Sequence, residues 1–531
     1  MSEFSSILGS DGLPMRRPSI NASSDTAWLG ASRTNRALQS WNPSLGSADG
    51  DLSGELVPMT ARARDLDRND GTAKSIRTST LDNVIGPGLR LNALPEYKVL
   101  GWTKDYAEEW SSNVESLWRS YSESTDIDYL GQHRFSSQLR LVLSSKIFNG
   151  AALALSMWHE GDSFRETKYK TCVQLIDIDR MSNPNGAPDS ATIRHGVEFD
   201  KKGRVVAVHI RNAHPGDGLL AGKDGFTWTR VPIRTEWGRR RVLHVFEPER
   251  VDQSRGVPLL ASVLSEFKVL SEYKRSEIQA AAVNALVATT LESTMTAEQI
   301  ADLFGGDLDD YLSRRNGWHV GLKPGAMIPL FPGDKLNSHM PARPNAQFGT
   351  FMESVLRNIA AGVGIPYELI MKDFSKTNYS SARAAMLEAW RNFQNIRKWM
   401  GEYFASPVYE LWLEEAISLG DIEAPGFYEN RRAYSRCRWI GPGKGWIDPV
   451  KEAQASQLRI DNCLSTLEAE CSEQGLDWEE VIEQRAREVA KMKALGLTMA
   501  DLKQSMSVVP TTDMPSEQRP SDQQPSKEND Q

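Results

Sequence analysis

Asp177 and Asp179 alternate along the stretch CVQLIDID, and Asp126 and Asp128 repeat that spacing. Carboxylates clustered this way hold the ions of two-metal nucleases. No third acid with a matching context joins either pair, so a solvated strand edge or turn accounts for them. Gly441 to Gly445, GPGKG, has the look of a phosphate loop. A Walker loop needs GxxxxGK followed by Ser or Thr; here Gly445 follows Lys444, and Arg438 stands where the first Gly belongs. A turn set by Gly and Pro ahead of a helix at Pro449 is the better reading. The 8 histidines contain no HExxH, and no GxSxG elbow is present. The residues therefore suggest no catalytic centre, no metal set and no cofactor. Two basic groups remain. Arg239, Arg240 and Arg241 lie beside Trp237, where they could meet phosphate, meet an acidic neighbouring subunit, or simply edge a solvated hairpin. Lys372, Asp373 and Lys376 lie within Tyr367 to Tyr379.

That second group sits between two helical patterns. Phe348, Phe351, Met352, Val355, Leu356 and Ile359 recur at helical spacing, and Gly362, Gly364 and Pro366 end the run. Asn378 or Ser380 can cap the second helix, whose apolar positions include Leu387, Trp390, Phe393, Trp399, Met400, Phe404 and Leu411. Pro407 should kink or end it. Two helices joined by a charged connector present a loop at a defined place.

The rest of the chain supplies the frame. Residues 1–55 are rich in Ser, Gly, Asn and Asp and read as a flexible arm. From Thr60 one helix should run to the turn at Ile85–Gly88. A second carries Tyr106, Trp110, Val114, Leu117, Trp118 and Tyr121 on one face, and a third spans Phe135–Asn149. The period then changes. AALALSMW, CVQLIDID and RVLHVFEPER read as strands. A hairpin sets Val197 and Phe199 against Val206, Val208 and Ile210, joined through Asp200–Gly203. Val257–Glu292 reads as one long helix, 293–345 as a mixed insert, and Pro449 to about Leu495 as a last helical block before a disordered tail. The expected class is α+β.

At 531 residues the chain should form about two to four lobes. A net charge of −8 argues against a tight, sequence-independent grip on DNA, though not against a protein that DNA passes through. The 4 cysteines form no CxxC pair and read as reduced thiols. No signal peptide is visible. The longest weakly polar run, Ala280–Leu291, falls short of the ~20 residues a bilayer span needs, so a soluble protein is expected.

The wording of the central hairpin is more specific than its pattern. IAAGVGIPYELIMKDFSKTNYSSARA, followed by LEAWRNF, resembles the lambda-family portal proteins of tailed bacteriophages. GVEFD-KKGRVVAV, HVFEPERVDQSRGVPLL, LQSWNP, ARDLDRN, PLFPGDKLN and WIGPGKGWIDP occur in family order, from about Trp41 to about Gly496. The resemblance implies a mostly helical portal fold of wing, stem, clip and crown, with a β-rich wing section and a small mixed clip. The arm would be 1–55, possibly processed, the wing 56–255 and the first stem helix 256–292. The clip would be 293–345, the second stem helix 346–364 and the tunnel loop 365–379. A long helix returning to the wing (380–448), a helical crown (449–500) and a tail (501–531) would complete the chain.

It further implies a non-enzymatic homo-oligomeric ring of about twelve subunits, closed by repeated heterologous contacts. The ring would stand at one capsid vertex of a virion assembled in the host bacterial cytoplasm. Double-stranded DNA would pass through its channel irrespective of sequence. Its partners would be the large terminase subunit, major capsid and scaffold proteins, and head-completion adaptors. Lys372, Asp373, Lys376, Asn378 and Tyr379 would face the DNA. Another head–tail adaptor ring, or a DNA-processing enzyme without a linear motif, are the alternatives.

Overall fold

The computed structural model describes residues 29–32, 35–160, 165–286, 289–291, 296, 298, 299, 302, 313, 327–329, 347–445 and 449–495. Most of the insert 293–345 lies outside them, as do Trp28 and the tail from 496 onward.

The first helix, α1 (Ala48–Leu52), falls inside the stretch expected to be an arm. Ser47 caps it by accepting the Gly50 N–H, and Asp49 is buried. Asp49 accepts the N–H and the hydroxyl of Ser254, at 2.7 and 2.8 Å, and pairs with Arg194 at 3.0 Å. Three polar partners fix a segment whose composition alone reads as solvated.

α2 (Leu56–Asn69) and α3 (Gly71–Val84) replace the single helix expected from Thr60. Asp70 makes the break: its backbone is extended, and its carboxylate accepts the N–H groups of Thr72 and Ala73. An N-cap of this kind starts a new helix without interrupting the apolar periodicity on either side.

β1 (Arg90–Ala93), α4 (Tyr97–Leu100), α5 (Lys104–Glu123) and α6 (Phe135–Asn149) follow. α5 buries Trp110, Val114, Trp118 and Tyr121, the face its spacing indicates. Gly150 ends α6 at φ +79°, where a Cβ would lie 2.4 Å from the Gly256 carbonyl carbon. The chain crosses itself there, backbone on backbone.

Seven strands come next: β2 (Ala151–Trp158), β3 (Thr171–Ile176), β4 (Ile193–Arg194), β5 (Val197–Phe199), β6 (Val205–Arg211), β7 (Trp228–Pro232) and β8 (Val242–Phe246). One antiparallel sheet has the order β3-β2-β8 and the other β4-β5-β6-β7. Ala152 and Ala154 face the large helical core, whereas Ala151 and Leu153 join Val197, Val208, Ile210 and Val231 in a smaller one. β2 is therefore covered on both faces, which is why AALALSMW shows no polar alternation. β3 stops at Ile176, three residues short of the end of CVQLIDID, because the Asp177 carboxylate accepts the Asp179 N–H and caps the short turn Ile178–Arg180.

α7 (Leu264–Leu286) is shorter at both ends than the helix expected over Val257–Glu292. Upstream, Leu259 donates its N–H to the Ile147 carbonyl and ties the segment to α6. Downstream, β9 (Thr289–Leu291), which opens on two β-branched threonines, runs parallel to β10 (Met327–Pro329). Then come α8 (Phe348–Val363), α9 (Tyr367–Met371) and α10 (Tyr379–Met400). Pro407 does not end the second helix. A π-helical turn at Gly401–Ala405 leads into α11 (Ser406–Ser418) and takes up the misfit just before the proline. α12 (Arg431–Ser435) precedes β11 (Cys437–Ile440), which pairs antiparallel with β1. Three further helices, α13 (Pro449–Asp461), α14 (Leu467–Glu473) and α15 (Trp478–Ala494), complete the described chain.

Trp118 lies at the centre of the large core. Its ring meets those of Phe135, Trp412 and Tyr409 edge-on, at centroid distances of 5.2, 5.3 and 5.6 Å. Edge-to-face contacts of this kind add to the area they bury, and these bind α5 and α6 to α11, the continuation of the loop-bearing helix.

Candidate channel loop

The connector between α8 and α10 is held at both ends by local chemistry. α8 stops at Gly364, whose backbone is left-handed at φ +69° and whose N–H returns to the carbonyls of Ala360 and Ala361. Asn392, on α10, donates to the Gly364 carbonyl at 2.8 Å and pins the neck of the hairpin. Pro366 precedes α9, whose Ile370 is buried. Ser75 on α3 donates to the Ile370 carbonyl at 2.5 Å. Lys372 ends α9 with φ +55°, a left-handed conformation uncommon for residues other than glycine. The fold thus turns the chain sharply at Lys372, one of the five residues expected to face DNA.

The five residues expected to face DNA are not equivalent. Lys372 is exposed, flanked by the exposed side chains of Met371 and Phe374, and has no ion pair among the described residues. Asp373 folds back on its own loop and accepts the Ser375 N–H at 3.0 Å. The Ser375 hydroxyl and N–H, with Lys376 nearby, hold its carboxyl below the usual range. Lys376 reaches back to α8, its Nζ 2.5 Å from Glu353 Oε2. Bonding to that carboxylate raises the Lys376 pKa, and bonding to Lys376 and Arg357 lowers that of Glu353. Asn378 caps α10 through the Ser381 N–H at 2.8 Å. Tyr379 opens α10, and its side chain lies outside the described residues.

Sequence reasoning missed the groups that hold the loop. Glu353 also meets Arg357 at 3.0 Å, and Arg357 meets Glu368 at 3.4 Å while lying 4.5 Å from the Tyr367 ring centroid. Glu353 and Arg357 stand four apart on one helix, a spacing that brings opposite charges together and was available as a signal. The part played by Glu368, buried on α9, depends on tertiary packing that no spacing reveals.

The arginine triplet is split by the fold. Arg239 points inward, meeting Glu414 at 3.0 Å and Thr171 Oγ1 at 2.7 Å. Burial, with Arg234 nearby, pulls the Arg240 pKa below its usual range. Arg241 is exposed, and its backbone bonds Ile233 and Ser156. They do not form one basic patch.

The acidic pairs are structural as well. Asp177, Asp179 and His214 bring ligand-type atoms within 4.8 Å of one another. Arg64 stands among them, 2.5 Å from Asp179 and 3.2 Å from Asp177. Asp126 accepts the N–H and hydroxyl of Thr167, and Asp128 accepts the N–H groups of Gln132 and His133. In the GPGKG turn, a Cβ at Gly443 would lie 2.4 Å from the Gln474 carbonyl oxygen. Gly443 thus serves close backbone packing and Gly441 makes room for the Arg397 side chain, while Gly445 supplies a left-handed turn at φ +71°.

The described residues thus build a scaffold, helical with antiparallel sheets, that presents one charged loop on a braced hairpin. The sequence pattern of the phage portal proteins, lambda family, matches residues 34–397, and the chain belongs to that family. Portal protein B of Escherichia phage lambda is 31% identical over 511 residues, covering 92% of this chain and 93% of that protein. The portal protein of Escherichia phage N15 is 32% identical over 479 residues, covering 87% and 89%. Among solved structures, a chain from the virion of a native gene transfer agent particle is similar at 12% identity and a TM-score of 0.37, covering 79% of this chain and 91% of that one.

Proposed function

We propose that this chain is one subunit of a closed ring at a single vertex of the phage head, a conduit through which double-stranded DNA enters on packaging and leaves on ejection. Family membership supports the portal role, and the exposed Lys372 at the tip of a braced loop supports the DNA-facing assignment of 365–379. Rotational symmetry would turn one Lys372 into a ring of about twelve cations around the duplex. Six to ten phosphate contacts already give strongly salt-dependent binding, so one loop lysine per subunit with no ion pair among the described residues, in an acidic chain, offers a hold that still lets DNA slide.

In this reading 256–292 and 346–364 are the paired stem helices, 293–345 is the clip that docks the large terminase subunit, and 449–500 is the crown. Shell, scaffold and head-completion proteins contact the remaining surfaces. The subunit is a structural part of the virion, assembled in the bacterial cytoplasm, and not a catalyst. Among the described residues no helix is long and apolar enough to cross a membrane.

Replacing Lys372 tests the assignment. K372A should leave ring assembly and prohead numbers unchanged while lowering the DNA packaged or retained per head. Packaging and retention equal to wild type would refute it.

A further inference from the structure

The two lysines of the loop do different work. Lys376 is drawn back onto α8 by Glu353, 2.5 Å from its Nζ. That contact is the outer rung of a ladder of alternating charge, Lys376–Glu353–Arg357–Glu368, whose inner end is the buried Glu368. Arg357 is steadied at the middle by the Tyr367 ring. The ladder therefore joins the far side of the loop both to the stem-side helix α8 and to α9. α9 in turn hangs from α3 through Ser75. Lys372, at the left-handed turn, belongs to no such ladder among the described residues.

We propose that Glu353 is a positioning residue that holds Lys376 in reserve: the carboxylate latches the loop to α8 and competes with DNA phosphate for the same ammonium group. This rests on the reading of 365–379 as a DNA-facing loop. An ammonium ion already neutralised by a carboxylate gains little by exchanging it for a phosphate oxygen, and it releases no condensed counterion that a free lysine would not release better. Lys372 then sets the resting hold on DNA, and Glu353 keeps that hold from doubling. The outer pair is solvent-exposed, and such pairs are weak enough to open by thermal motion. The latch can therefore yield locally as a duplex moves past without fixing it in place.

The test uses assembled rings of the full-length chain in four forms besides wild type: E353Q, K376A, E353Q with K376A, and K372A. Ring formation by native mass spectrometry serves as the folding check, since each substitution is at a partly or wholly exposed side chain. Two readouts are taken. The first is the rate of Lys-C cleavage after Lys376, which reports the latch without reference to DNA. E353Q should raise it by a factor of ~2–5, the range open to an exposed ion pair. The second is affinity for a short fluorescein-labelled duplex as a function of salt. E353Q should bind more tightly and steepen the logarithmic salt slope, each newly engaged lysine adding up to about 0.9. That gain should vanish in the E353Q, K376A double variant, because the interaction is specific to the pair.

If the gain survives without Lys376, removal of negative charge alone explains it, and the latch is refuted. An unchanged Lys-C rate in E353Q refutes the latch as well, whatever the DNA result. If K372A leaves duplex binding at the wild-type level, the DNA-facing reading itself fails and the proposal falls with it. If K372A weakens binding while E353Q changes nothing, the loop reading stands and only the latch is lost.

Discussion

Glu115, on α5, should make this protein less stable as pH rises toward neutrality. Its carboxylate accepts the Ala93 N–H at 2.6 Å from a partly buried position in a cleft between α5, β1 and the start of α15. Burial is the main force pushing its pKa from 4.5 up to about 7; Asp477 and Glu479 add to it, while the Ala93 N–H and Arg119 oppose it. Below about pH 4.5 the carboxyl is protonated in both folded and unfolded chains and costs nothing. Between about 4.5 and about 7 the folded chain holds a proton that the unfolded chain has lost, so stability falls as pH rises through that window. Above it both states are ionised and the cost is constant. At 1.36 kcal/mol per pH unit, the span corresponds to about 3 kcal/mol at most, and about 2 kcal/mol once partial solvation is allowed for.

E115Q keeps an oxygen for the Ala93 N–H and removes the charge. Chemical denaturation of both proteins, followed by tryptophan fluorescence at several pH values from about 5 to about 8, gives the difference curve. Titrating groups remote from Glu115 are common to the two and cancel; the charges of Asp477, Glu479 and Arg119, which act on Glu115, are part of the measured difference. The variant should gain about 2 kcal/mol relative to wild type at the alkaline end and progressively less toward the acid end. A pH-independent difference, or a variant less stable than wild type at pH 8, would refute the reasoning.

Substitutions at three further positions probe the frame that carries the loop. Arg397 on α10 donates to the carbonyls of Val84, Asn83 and Pro442 at 3.0, 2.9 and 3.0 Å, and burial lowers its pKa to about 10. R397M should cost about 3–5 kcal/mol in a denaturant titration, because buried carbonyls lose charge-assisted donors; R397K should recover less than half, since an ammonium cannot reproduce the fork. At Gly256 a Cβ would lie 2.0 Å from the Gly150 carbonyl oxygen, so G256A should destabilise the chain by about 3 kcal/mol. G349A, with nothing within 4 Å of its added Cβ, should be neutral or stabilising by up to about 1 kcal/mol.

Helices and strands with an unbroken pattern were legible in the sequence, and those with a hidden reason were not. α5 and α6 stand where periodicity puts them, and the β5–β6 hairpin turns at Asp200–Gly203, where Asp200 accepts the N–H groups of Lys202 and Arg204. The split at Asp70 was less visible, because a cap costs one residue and leaves the apolar repeat intact. The pairing of β1 with β11 joins opposite parts of the chain and has no local signal. At the site, the connector and its lysines were plain from charge and helix spacing. What distinguishes Lys372 from Lys376 was not, since it depends on a carboxylate from a different helix. Arg239 shows the same limit: three consecutive arginines read as a surface patch, yet Glu414 and Thr171 draw one of them inside.

The central claim, a ring-forming conduit, is tested most directly by native mass spectrometry of the purified full-length chain, with negative-stain images of the same sample. Closed rings of about twelve copies around an open channel are expected, the outcome of repeated heterologous contacts whose rotation closes. Monomers or dimers that stay open even when scaffold and shell protein are added would contradict it.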